Sequence, residues 1–183
     1  MKIADGIYTI PNLLRPEECK DYITLTEGIG YEAAPIATGS GFVMRPDIRD
    51  NTRVILDDMA RAEALWQRIR SEVPQILKGR QAIGLNERFR FYRYDPGERF
   101  APHTDGSYRR ENGEESLLTF MVYLNGGFSG GETNFSEIRI IPEAGLGLIF
   151  AYHLLHEGAA VTSGRKYVLR TDVMYGPVGQ LRG

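Results

Sequence analysis

The chain has 183 residues, a formal net charge of −2 and 42% hydrophobic residues, enough for one soluble domain with a sizeable core. Near-balanced charge gives no global attraction to nucleic acid or anionic lipid, which argues against both as partners. A single cysteine, Cys19, excludes an internal disulfide framework, and the opening Met1-Lys2-Ile3-Ala4-Asp5-Gly6 holds no apolar run long enough for a signal peptide or membrane span, so a cytoplasmic location is expected.

Ile7-Tyr8-Thr9-Ile10 reads as a short strand closed by Pro11-Asn12. Pro16, with Glu17 and Glu18 beside it to complement the helix dipole, starts a helix to about Thr26, with Cys19, Tyr22, Ile23 and Thr26 as its buried stripe. From Gly28 to Arg53 the Gly- and Pro-rich sequence predicts a loop with at most short strands. Arg49 and Asn51 in it are candidate substrate contacts, since binding residues favour loops on a rigid scaffold. Asp57 or Asp58 then caps what should be the longest helix, carrying Met59, Ala62, Trp66, Ile69 and Val73 on one ridge up to a break at Pro74.

Arg88-Phe89-Arg90-Phe91-Tyr92-Arg93-Tyr94 alternates with strand period. Phe89 and Phe91 should pack beneath the helices. Arg90, Tyr92 and Tyr94 share the other face and point into the fold, which adds Arg90 and Tyr92 to the substrate candidates. Interleaved Arg and aromatics also suit a single-stranded nucleic-acid platform, but no basic excess extends the stripe and no nucleic-acid partner is expected. Gly106 to Glu115 is polar and predicts a mobile lid. Leu117–Leu124, Glu132–Phe135, Ile138–Pro142 and Gly147–Tyr152 are then short strands punctuated by Gly126-Gly127 and Gly130-Gly131, the pattern of two apposed sheets.

The chemistry concentrates in Pro102-His103-Thr104-Asp105-Gly106 and, about fifty residues on, Leu155-His156-Glu157-Gly158. His103 and Asp105 are two apart and fall on one side of an extended strand. With His156 they make two imidazoles and one carboxylate, the set that suits non-haem Fe(II) in oxygen-activating enzymes. His153 lacks the following Glu-Gly and reads as a core residue or one that supports a ligand. Lys166 lies ten positions after His156 in the β-branched and aromatic run 164–175, where a cation would serve a dicarboxylate.

Together these segments resemble the Fe(II)- and 2-oxoglutarate-dependent dioxygenases, in their prolyl 4-hydroxylase-like branch. The matching pieces are Tyr94 to Asp105, Thr119 to Asn125, Gly130-Gly131-Glu132-Thr133, His156 to Gly158, and Lys166-Tyr167, in that order. The resemblance implies a double-stranded β-helix, or jelly-roll, mainly β and supported by N-terminal α-helices. It divides the single domain 1–183 into helical support and substrate-side loop (1–85) and a barrel core (86–177). It implies Fe(II) held by His103, Asp105 and His156, 2-oxoglutarate and O2 as cosubstrates, and ascorbate as a stimulant. Lys166 would bind the far carboxylate of 2-oxoglutarate, aided by the Tyr94 and Thr119 hydroxyls. Arg170 departs from the usual pattern and would meet the near carboxylate, an acidic substrate, or Asp172.

Three function classes stay open at this level. One is a hydroxylase of a peptidyl residue such as proline or of a small amino-acid-like molecule. The others are a Zn-type metallohydrolase and a non-catalytic metal-binding barrel. Lys166, Tyr94 and Thr119 have a purpose only in the first. Oligomeric state is not legible.

Overall fold

The computed structural model describes residues 1–39 and 41–178, a mainly β chain with two helices. Its first part runs β1 (Lys2–Ala4), β2 (Ile7–Ile10), α1 (Pro16–Ile29), β3 (Glu32–Ala33), β4 (Ile36–Thr38), β5 (Gly41–Val43), β6 (Thr52–Asp57) and α2 (Met59–Ile69). There follow β7 (Ile76–Leu77), β8 (Arg80–Leu85), β9 (Arg88–Tyr94), β10 (Phe100–His103) and β11 (Glu115–Tyr123). The last strands are β12 (Ser129–Gly130), β13 (Thr133–Phe135), β14 (Arg139–Ile140), β15 (Gly147–Ala151), β16 (His156–Gly158), β17 (Val161–Ser163) and β18 (Lys166–Pro177). Among the described residues no helix is long and apolar enough to cross a membrane.

A ten-stranded sheet has the path β1-β2-β15-β11-β18-β9-β6-β3, with β8 also on β18 and β7 on β8; a four-stranded sheet runs β10-β16-β13-β14. The arrangement is consistent with a jelly-roll. Tyr92, Tyr94, Tyr123 and Val168 of the large sheet share a buried cluster with Phe135 and Ile140 of the small one, and the site opens beside that cluster.

β18 is the long central strand. One edge pairs with β11, and the other first with β9 and then with β8. Side chains alternate across a strand, so Lys166, Val168, Arg170 and Asp172 face one way. Tyr167, Leu169 and Val173 face the other, into a core shared with Phe89, Phe91, Leu65 and Trp66. Phe89 and Phe91 meet the helices as their alternation predicts; the Tyr22 ring of α1 stands 5.7 Å from that of Phe91.

Local chemistry starts both helices. The Arg15 backbone N–H donates to Glu18 Oε2 at 2.9 Å, and the Arg61 N–H to Asp58 Oδ1 at 2.8 Å, each satisfying an amide at a helix start. The second helix is shorter than its apolar ridge predicts: α2 ends at Ile69, so α1 is the longer, and Met59 is 76% exposed. Val73 is buried beyond the helix end. As the residue before Pro74 it is sterically turned away from helical geometry. The division at residue 85/86 is also not a structural boundary, because β1 and β2 extend one end of the large sheet, and β3 and β6 the other. An edge strand needs only a few alternating residues, and such short runs are hard to see in a Gly- and Pro-rich stretch.

Phe91 is fully buried between sheet and helices. Phe91→Ala should destabilise the protein by about 3–5 kcal/mol, read as a lowered midpoint in urea denaturation.

Candidate active site

β10 and β16 pair antiparallel with His103 directly opposite His156. Asp105 follows two residues later, its backbone N–H donating to Tyr152 O at 2.9 Å. One ligand atom from each of the three lies within 4.8 Å of the others. Each imidazole is oriented by a backbone carbonyl two residues before it. His103 Nδ1 lies 2.8 Å from Ala101 O and His156 Nδ1 2.9 Å from Leu154 O. A carbonyl can only accept, so each Nδ1 carries a proton, which leaves Nε2 as the ring nitrogen placed to meet a metal. Those Nε2 atoms stand 3.6 Å and 3.9 Å from the Asp105 carboxylate oxygens.

The electrostatics suit a cation. Burial would raise the Asp105 carboxyl, but the Arg170 guanidinium, both histidines and the Thr119 hydroxyl outweigh it and hold it well below the usual carboxylate range. Burial pushes His156 down, against the pull of Asp105, which favours the neutral form that ligates. Two neutral imidazole nitrogens and one ionised carboxylate are a fitting donor set for Fe(II).

His153 takes no part. It is exposed, in a turn, with its ring 5.5 Å from that of Tyr152, so placing it in the core is a correction. The turn before β16 directs it outward.

Lys166 is 2% exposed. Its Nζ donates to Gly131 O at 2.5 Å and lies 4.9 Å and 5.5 Å from the Tyr94 and Tyr123 ring centroids. Burial pushes this ammonium down from 10.5 to about 7, with Glu132 opposing the shift. Tyr123 was not anticipated. It lies on β11 two and four residues from Met121 and Thr119, so the strand period could have found it. Its hydroxyl bonds Thr133 Oγ1 at 2.6 Å, and Thr133, Tyr94 and Lys166 line one cavity.

Thr119 stands elsewhere. Its hydroxyl donates to Asp105 Oδ2 at 2.6 Å, so it orients the metal-binding carboxylate rather than assisting Lys166. The register explains the difference: Thr119 pairs with Asp172, whereas Tyr123 pairs with Val168 near the start of β18. Arg170 Nη2 lies 3.1 Å from Asp105 Oδ2 and 3.5 Å from Asp172 Oδ1, which joins the metal-binding cluster to the charged wall behind it.

The cavity, of about 600 Å³, is lined by Lys166, Tyr94 and the triad, and also by Arg49, Arg53, Arg90 and Tyr92. Asn51 is not in the wall. It is 1% exposed, and its Oδ1 accepts from Arg49 Nε at 2.7 Å, so Asn51 positions Arg49 and does not itself meet a ligand. The segment after Asp105 is a pinned hairpin rather than a free lid. Tyr108 N–H donates to Ser116 Oγ, Ser107 Oγ to Ser116 O, and Arg110 is held by Glu114 and Glu87. A serine at the base of β11 supplies these anchors, and polarity alone could not reveal them.

Residues 89–171 match the family model described as the 2OG-Fe(II) oxygenase superfamily. This stretch resembles a 2OG-Fe(II) oxygenase domain. It contains the triad and Lys166, and the cofactors that the family implies are Fe(II), 2-oxoglutarate and O2. Among curated proteins none matches the sequence significantly. Among solved structures, the viral collagen prolyl hydroxylase of Paramecium bursaria Chlorella virus-1, in its 2OG complex, is similar at TM-score 0.63 and 22% identity, over 94% of this chain and 99% of that one. A Pseudomonas putida prolyl-4-hydroxylase is similar at TM-score 0.66 and 16% identity, over 95% and 94%. A Trichoplax adhaerens prolyl hydroxylase, in complex with a hypoxia-inducible-factor peptide fragment, reaches TM-score 0.71 at 16% identity, over 93% and 84%. The chain shares its fold with these enzymes.

The depressed Lys166 makes stability depend on pH. The unfolded lysine keeps its ordinary value of 10.5, so between about pH 7 and 10.5 the unfolded chain binds the additional proton and stability rises with pH. Below about 7 both states are charged and the whole cost is present. Lys166→Met should therefore stabilise the metal- and cosubstrate-free protein at pH 7 by roughly 2–4 kcal/mol. Urea denaturation from pH 6 to 10 should show the gain over wild type shrinking toward pH 10.

Proposed function

We propose that the protein hydroxylates a C–H bond of a peptidyl residue, proline among them, or of a small amino-acid-like molecule, converting 2-oxoglutarate and O2 to succinate and CO2. The observation that carries this reading is Lys166, a buried ammonium within ion-pair distance of no carboxylate among the described residues. Such a group is retained against its desolvation cost where a ligand supplies the anion. The relatives named prolyl hydroxylases, one of them solved with a peptide fragment, support a peptidyl substrate.

His103, Asp105 and His156 would hold the metal through Nε2, a carboxylate oxygen and Nε2. Bound Fe(II) supplies the coupling of dioxygen activation to decarboxylation of 2-oxoglutarate. Everything else falls to the chain. Lys166 would bind the far carboxylate, with the Tyr94 and Tyr123 rings shielding the pair from water. In that low-dielectric setting an ion pair is far stronger than at a surface. Thr119 keeps Asp105 oriented, and Arg170 is placed to balance charge beside it or to meet the near carboxylate. The whole chain 1–183 acts as one domain in this reading, with α1 and α2 supporting the large sheet from the Phe89 and Phe91 side. Zn would accept the same three ligands, but a hydrolase leaves Lys166 without a purpose.

Lys166→Ala should weaken 2-oxoglutarate binding by about 2–5 kcal/mol, or roughly thirtyfold to several thousandfold, while metal binding persists. Titration of the Mn(II)-loaded protein reads both, and an unchanged affinity for 2-oxoglutarate would sink the assignment. Asp105→Ala should lose most iron affinity, since two imidazoles and solvent remain. Retained activity in that variant would transfer the carboxylate's part to another residue.

A further inference from the structure

The cavity carries more positive charge than the oxygenase reading uses. Arg49, Arg53, Arg90 and Arg170 line it against two carboxylates, Asp105 and Asp172. Asp105 belongs to the metal, and Asp172 is shared between Arg90 at 3.4 Å and Arg170 at 3.5 Å. Arg49 and Arg53 form no ion pair with a carboxylate among the described residues.

Arg49 is the better defined of the two. It is 6% exposed, and its guanidinium lies between the Tyr92 and Phe100 rings, 4.4 Å and 4.6 Å from their centroids. Asn51 fixes Nε and the Tyr92 hydroxyl also bonds the guanidinium, while Nη2 is buried with no acceptor. A buried donor left without a partner is costly, and here the rings and Asn51 keep it from turning away. Arg53 is half-buried in the same wall, its guanidinium 5.9 Å from the Phe42 centroid. Burial and the charges of Arg49 and Arg90 push Arg53 down, the mark of a region with surplus positive charge. The Tyr92 phenol shows it too: burial would raise it, but Arg49, Arg170 and Arg90 bring it below its ordinary value.

Position relates this charge to the reaction. Phe100, on one side of Arg49, stacks on the His103 ring at 3.5 Å between centroids. The free guanidinium nitrogen is therefore one ring removed from a metal ligand, within the span of a small molecule. With the far carboxylate of 2-oxoglutarate assigned to Lys166 and the near one to the metal and Arg170, the acceptor that Arg49 Nη2 lacks is left to the other reactant.

We propose that the substrate carries a carboxylate close to the carbon that is hydroxylated, and that Arg49, with Arg53, receives it. This rests on the oxygenase reading and narrows its substrate class. A carboxylate offers two oxygens to two guanidiniums, and bidentate or paired arginine contacts are the strong form of such recognition. The group can belong to a free amino acid or chain terminus, or to an acidic side chain.

The test uses protein loaded with Mn(II) and 2-oxoglutarate for binding, and with Fe(II) for turnover. The probes are free amino acids with their carboxamides, and blocked pentapeptides with central Glu or Gln, Asp or Asn, and phosphoserine or serine. The expected result is at least one acid that binds about tenfold or more tightly than its amide and gains one oxygen atom on turnover. The free amino acids and the blocked peptides separate the two sources of the carboxylate. Arg49→Gln and Arg53→Gln should each erode the acid-over-amide preference, and Arg53→Gln, in a half-buried strand residue, serves if the Arg49 variant does not fold. Equal binding of acids and amides, a preference that survives both variants, a stronger preference for phosphoserine, or no bound carboxylate while succinate is still formed would each overturn the proposal. Failure of the wild-type protein to bind 2-oxoglutarate or form succinate would instead overturn the oxygenase reading beneath it.

Discussion

Strict alternation along β18 underlies both stability and chemistry in this protein. One face of the strand puts Tyr167, Leu169 and Val173 into the hydrophobic core, and the other sets Lys166, Val168, Arg170 and Asp172 along the cavity side. A one-residue slip would exchange the two faces, burying guanidinium and carboxylate among the phenylalanines. The same packing that makes the fold therefore enforces the register of the site. Three neighbours, β11, β9 and β8, hold that register over the twelve residues of β18.

Two different solutions to burying charge coexist within a few residues of each other. Arg170, Asp105 and Asp172 compensate one another directly. Lys166 is given only a backbone carbonyl and two aromatic faces, which soften the desolvation of an ammonium without cancelling it. The first arrangement is complete within the chain; in the proposed function the second is completed by 2-oxoglutarate. Stability is thus given up where a ligand is to bind, a common feature of sites that act on small anions.

Substrate-facing parts follow the same division. Arg49 is clamped between Tyr92 and Phe100 and steered by Asn51 before any substrate is present, so little conformational freedom is lost on binding. The hairpin from Ser107 to Ser116 is likewise fixed by its own hydrogen bonds. Both features describe walls held in place by internal contacts.

The sequence alone determined the ligand triad, because two imidazoles and a carboxylate at these spacings belong to few chemistries. It also singled out Lys166 as a candidate, a cation ten positions after His156 in a β-branched and aromatic run. The inward face of β9, with Tyr92 and Tyr94 opposed to Phe89 and Phe91, was legible from period-two alternation. Tertiary structure decided what depends on pairing between distant strands. Whether Thr119 or Tyr123 stands beside Lys166 is set by the β11–β18 register, and a sequence carries no local mark of register. Asn51 proved a brace and Arg49 the free donor because the fold packs one behind the other, although the two are nearly adjacent in the chain. The extent of α2, the outward turn of His153 and the edge strands from the first 57 residues were settled in the same way, by long-range packing that overrides local preference.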